Sequence, residues 1–119
     1  MLRIGLALTL ISLAGCAHSS NANNQDLGIR ASYVWGPEVN TMKPCGSDST
    51  FWVLAKPAVI GQLRAAHDSL QTQPYDRIFI RVHGQRSTRA TDGFAQETNG
   101  YFEVTEILEA RRLLQGECG

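Results

Sequence analysis

Neither sign of charge dominates this chain: eleven Lys and Arg stand against eleven Asp and Glu in 119 residues. Nonspecific nucleic-acid binding works by neutralising many phosphates with surplus cations, so the balance points away from any general DNA or RNA role. Long apolar runs are missing too. The most hydrophobic stretch, residues 4–13, falls well short of the ~20 residues a helix needs to cross a bilayer. There is no Cys-x-x-Cys and no His-x-x-x-His, so no local spacing supports zinc. Ser47, Ser49 and Ser69 lie outside any Gly-x-Ser-x-Gly context, which removes the nucleophile elbow. Met42 is the only methionine after Met1, too few for a Met/His copper cluster. Nothing calls for a cofactor, a catalytic residue or an enzyme. What remains, at 43% hydrophobic residues and a mean hydropathy of −0.17, is the composition of one small foldable domain.

The N-terminus says where that domain resides. Arg3 supplies a short positive region, residues 4–13 an apolar region of signal-peptide length, and Leu13-Ala14-Gly15-Cys16 ends it. That ending resembles the bacterial lipobox, which implies a signal peptide over residues 1–15, cleavage before Cys16, and acylation of Cys16. Several acyl chains anchor firmly where a single chain holds only marginally. A secreted protein cut after Ala17 and an uncleaved anchor are the competing readings. Loss of Arg3 with the signal leaves one acidic charge in excess. Ala17, in place of the Asp that retains enterobacterial lipoproteins at the inner membrane, implies the outer membrane, with the domain facing the periplasm. Residues 16–27 then form the acylated cysteine and a polar, Asn/Ser-rich tether. Residues 28–119 are the domain.

With Cys16 assigned to lipid, Cys45 and Cys118 are an even pair in an oxidising compartment, and a disulfide between them is expected. Closing so long a loop is worth roughly 4 kcal/mol in the chain-entropy model. The alternative is a metal site, with both thiols joined by His67 or His83.

Within the domain, residues 29–35 alternate and stop at Gly36-Pro37, a strand ended by a turn. Residues 39–43 read as a weaker strand, and Phe51-Trp52-Val53-Leu54 as a short buried one. Pro57 starts a helix whose core stripe is Val59, Leu63, Ala66 and Leu70, stopped by Pro74. Residues 77–83 carry Ile78, Ile80 and Val82 on one face and Arg77, Phe79, Arg81 and His83 on the other. Gly84 suits a bulge. Thr91-Asp92-Gly93 and Asn99-Gly100 are turn signals, the second of the two-residue hairpin type. The last segment reads two ways: residues 106–115 alone favour helix, whereas after the Asn-Gly turn residues 101–109 read as strand. The expected class is mainly β. Its element order is that of a small five-stranded OB-like barrel with one helix between strands 3 and 4.

Specific residues then carry a likeness. Tyr33-x-Trp35-Gly36-x-Glu38, Pro44-Cys45-Gly46-Ser47, Phe51-Trp52-Val53, Thr91-Asp92-Gly93-Phe94-Ala95, Val104-Thr105-Glu106-Ile107 and Cys118 resemble the C-terminal domain of NlpE-type envelope lipoproteins. The resemblance runs over about residues 28–118. It implies an OB-like fold, a disulfide matching Cys45–Cys118, and a link to copper homeostasis, surface adhesion or envelope-stress signalling. It departs where NlpE-type proteins carry a lipocalin-like domain with Cys-x-x-Cys: here the lipobox leads through the tether straight into the OB-like part.

Two function classes follow. One is a lipid-anchored interaction or sensor module with an envelope protein partner. The other is an OB domain that binds an oligosaccharide, a peptidoglycan fragment or a metal. The expected contact residues are Trp35, Trp52, Phe79, Arg81, His83 and Tyr101, aromatics on strands with cations nearby. Against this stands burial of the aromatics, Tyr33 included, in the core of a small barrel. His67 is expected on a helix flank, and Glu103, Glu106 and Glu109 beside Arg111 and Arg112 on a solvated face.

Overall fold

Alternation in the chain turns into strands that close on themselves. In order these are β1 (Ile29–Gly36), β2 (Val39–Pro44), β3 (Phe51–Leu54), a helix α1 (Pro57–Leu70), β4 (Arg77–Arg86) and β5 (Tyr101–Arg112). A short 3-10 helix, Gly93–Glu97, interrupts the connection from β4 to β5. The structure, a computed structural model, describes residues 27–70 and 73–118 together with Gly15. The expected signal peptide, the lipidation site Cys16 and most of the tether lie outside the described residues.

The barrel runs β1-β2-β3-β5-β4 and closes by pairing β4 with β1. Every pairing is antiparallel except β3 with β5. The protein is therefore mainly β, a closed five-stranded barrel with its helix between strands 3 and 4, as expected. Closure leaves no unpaired sheet edge.

Period-two patterning decides what fills it. Ala31 and Tyr33 of β1, Met42 of β2, Phe51 and Val53 of β3, Ile78, Ile80 and Val82 of β4, and Phe102 and Val104 of β5 form one cluster. Leu63 of α1 completes it, fully buried, with Val59, Ala66 and Leu70 packed alongside. Pro57 sits at the first helical position, where a missing N–H loses nothing.

Two local expectations change, and one open choice is decided. His67 is not on a flank: it is fully buried. Its Nε2–H donates to the carbonyl of Asp76 at 2.6 Å, and its ring meets Tyr33 edge-on at 6.0 Å. The Tyr33 hydroxyl donates to Asn40 Oδ1 at 2.6 Å, and Asn40 Nδ2 donates to the Val53 carbonyl at 3.2 Å. Burial pushes the Tyr33 hydroxyl well above its ordinary pKa, which keeps it a neutral donor. Tyr33 and Asn40 thus satisfy each other inside an apolar barrel, while His67 Nδ1 is buried without a hydrogen-bond partner among the described residues.

The two readings of the last segment are also decided: the strand expected over residues 101–109 is present and runs on to Arg112. The Leu, Ala, Glu and Arg of residues 106–112 favour helix locally, but pairing with β4 sets Glu109 opposite Arg81 and Glu106 opposite His83. Tertiary pairing overrides a propensity of a few tenths of a kcal/mol per residue. Finally, Asn99-Gly100 does not make a two-residue hairpin. β4 ends at Arg86 and a long connection intervenes. Asn99 instead ties the start of β5 to the entry of β3: its Oδ1 accepts from Thr50 N–H at 2.9 Å.

Gly84 does mark a bulge. The β4–β5 register shifts between His83 and Gly84, and again between Arg81 and Val82. A Cβ at Gly84 would collide with the Glu103 carbonyl oxygen and come within 2.7 Å of the Phe102 ring.

Candidate functional site

The expected contact residues divide between two faces of the barrel. Phe79, Arg81 and His83 belong to the β4–β5 face. There Phe79 is 1% exposed although it points away from the core cluster. Arg111, directly opposite it in the ladder, lays its guanidinium 3.9 Å from the ring centroid, and Arg30 covers it at 5.3 Å. Glu117 grips Arg111 with both oxygens, at 2.8 and 2.7 Å, and reaches Arg30 at 3.3 Å. Hydrogen bonding to Arg111 holds the Glu117 carboxyl down to about 2. Glu109 is likewise lowered, first by its hydrogen bond from Arg81 and then by that from Arg111. Arg81 also donates to the Leu27 carbonyl at 3.0 Å. His83 Nδ1 lies 3.0 Å from Glu106.

One residue beyond Glu117, Cys118 is joined to Cys45 across 73 residues of sequence. The two sulfurs hold each other, so the alternative in which they share a metal with His67 or His83 does not describe this fold. Among the described residues, no three His, Cys, Asp or Glu side chains group so as to hold a metal ion. This face is a clasp: the C-terminal segment is pinned by ion pairs and a covalent bond, although His83 Nε2 has no hydrogen-bond partner among the described residues.

Trp35 and Trp52 belong elsewhere. They line one open groove of about 660 Å³ with Val39, Leu54, Ile60 and Phe94. Its walls come from the β1–β2 turn, β3, α1 and the loop before β5. The volume is that of a small-molecule or side-chain site, and the lining is mainly apolar. Trp52 and Phe94 stack with centroids 6.4 Å apart and planes 24° from parallel. Arg64 sits over Trp35 at 4.5 Å from the ring centroid. Tyr75 braces the rim by packing on Gly36 and donating to the Pro37 carbonyl at 3.0 Å.

Tyr101 does a different job. It is 4% exposed. Its hydroxyl donates to Asp92 Oδ1, and the Asp92 N–H donates back to it at 3.2 Å. It thereby pins the loop that presents Phe94. Phe94 itself is 58% exposed and was not among the expected contact residues. The available signal was a large aromatic directly after an Asp-Gly turn, where nothing in the strand pattern asks for one.

No protein-family model, no curated protein and no solved structure matches this chain. No described helix is long and apolar enough to cross a membrane.

Proposed function

We propose that the protein is a lipid-anchored interaction module of the bacterial envelope, held at the outer membrane by acylated Cys16 and working through the Trp35/Trp52/Phe94 groove. One observation supports this reading above others. The Trp52–Phe94 pair is stacked and partly open to solvent, whereas comparable aromatics on the opposite face are covered. Exposed large apolar side chains gathered in a concave site mark a contact surface. The lining is mainly apolar, Asn40 spends both its side-chain atoms on Tyr33 and Val53, and Glu38 supplies the one carboxylate among the described lining residues. That favours the apolar side chains of an envelope protein over a polar ligand. The likeness to NlpE-type lipoproteins adds envelope stress or copper homeostasis as the context of such contact, with the stapled domain as the sensing part.

A second reading, an OB domain for an oligosaccharide or peptidoglycan fragment, has the same stacked pair in its favour, because ring faces suit the apolar face of a sugar. Two experiments test the anchor and separate the ligands. In cell fractionation, Cys16→Ser moves the protein out of the membrane fraction; an unchanged distribution removes the anchor. Acrylamide quenching of Trp35 and Trp52 fluorescence then tests the ligand: protection by peptidoglycan fragments supports the second reading, and lack of it supports the first.

A further inference from the structure

A second, polar cavity lies on the outside of the barrel where β1, β2 and β4 meet. It measures about 110 Å³ and is lined by Ser32, Val34, Thr41, Lys43, Thr50 and Arg77. The register explains why these side chains converge. Ser32 faces Lys43 across β1 and β2, while Val34 faces Thr41 on one side and Arg77 on the other. Directly opposed residues on one face hold their Cβ atoms about 5 Å apart, so two adjacent rows project four donor-bearing side chains toward one spot, with Thr50 a fifth at the margin.

The chemistry is one-sided. Lys43 and Arg77 have no ion-pair partner among the described residues. Among the described residues no carboxylate lines the cavity. Ser32, 5% exposed, makes no side-chain hydrogen bond there, nor do the hydroxyls of Thr41 and Thr50. On the β4–β5 face, by contrast, Arg30, Arg81 and Arg111 are taken up by glutamates or an aromatic ring. A fork-shaped guanidinium, an ammonium and three hydroxyls around a small volume complement a tetrahedral oxyanion, which accepts from all sides. The space is a few times the ~30 Å³ of a liquid water, enough for one such group.

We propose that Ser32, Thr41, Thr50, Lys43 and Arg77 form a binding site for a single phosphate group. It is separate from the aromatic groove and does not depend on the function assigned to that groove. Free phosphate esters and lipid headgroups both present this chemistry.

The test uses the full chain in maltoside micelles, with amide shifts followed by NMR as inorganic phosphate replaces chloride at constant ionic strength. Saturable shifts centred on residues 32, 34, 41, 43, 50 and 77 are expected. Lys43→Gln and Arg77→Gln should each weaken binding about tenfold while leaving the remaining spectrum in place. Ser32→Ala should weaken it less. A second arm dopes the micelles with phosphatidic acid or, as control, diacylglycerol. Phosphatidic acid shifting the same amides and competing with phosphate assigns the site to a lipid headgroup; no competition assigns it to a free anion. Shifts that do not saturate, that fall elsewhere, or that persist in the Lys43→Gln/Arg77→Gln double variant overturn the proposal.

Discussion

The β4–β5 side of the barrel and its β1–β3 side are made from similar residue types and put them to opposite uses. Both carry aromatics outside the core and both carry arginines. On the first, Phe79 is roofed by Arg111 and Arg30, those arginines are held by Glu117 and Glu109, and Cys118 is bonded to Cys45. On the second, Trp52 and Phe94 stack with an open face, and where it borders the start of β4, Lys43 and Arg77 flank a cavity that no described carboxylate lines. A charge or ring whose partner is inside the molecule stabilises the fold. One whose partner is missing is left for something else.

That contrast is open to attack, first on the side said to be structural. Cys45→Ser should cost roughly 4 kcal/mol of stability, the loop-closure value for a disulfide of this span. Equal melting temperatures for oxidised and reduced protein would remove the clasp. Gly84→Ala should cost about 2 kcal/mol by forcing β4 off β5 at the bulge, measured by urea denaturation. A change below about 0.5 kcal/mol would mean that the close approach of Gly84 to Glu103 relaxes freely.

Acid offers a finer probe. The Glu117 carboxyl titrates near 2 when folded against an ordinary 4.5, so between those values the unfolded chain binds more protons than the folded one. Its contribution is complete above pH 4.5 and is lost as pH falls toward 2. Glu109, also lowered, acts in the same direction. Glu117→Gln should flatten the fall in stability across that window, and an unchanged acid titration would show that the Arg111 grip contributes nothing. The smallest stability effect is expected on the other side: Phe94→Ser, in an exposed loop, should change stability by less than about 0.5 kcal/mol.

Much of the fold was legible, because β1 and β4 alternate and the apolar residues of α1 recur at helical spacing, His67 being the one polar residue buried on that helix among the described residues. Where a segment's fate depends on a distant partner, its own composition is ambiguous or misleading. The run 106–112 carries helix-forming residues and becomes strand only because Arg81 and His83 wait across the ladder. His67 looked like a flank residue because its partner, the Asp76 carbonyl, is backbone and leaves no trace in side-chain patterning. The six expected contact residues were correctly seen as strand-borne, but alternation does not tell a ring roofed by arginines from one left open. Phe79 and Trp52 differ in what lies over them, and that comes from residues 32 and 42 positions later in the chain, Arg111 and Phe94.

The most direct test of the two-sided account is photocrosslinking in intact envelopes, with the probe placed at Phe94 or at His83. The account predicts protein adducts from Phe94 that vanish when Trp52→Ala is added, and none from His83. Adducts from His83 alone, or Phe94 adducts indifferent to Trp52→Ala, would contradict it.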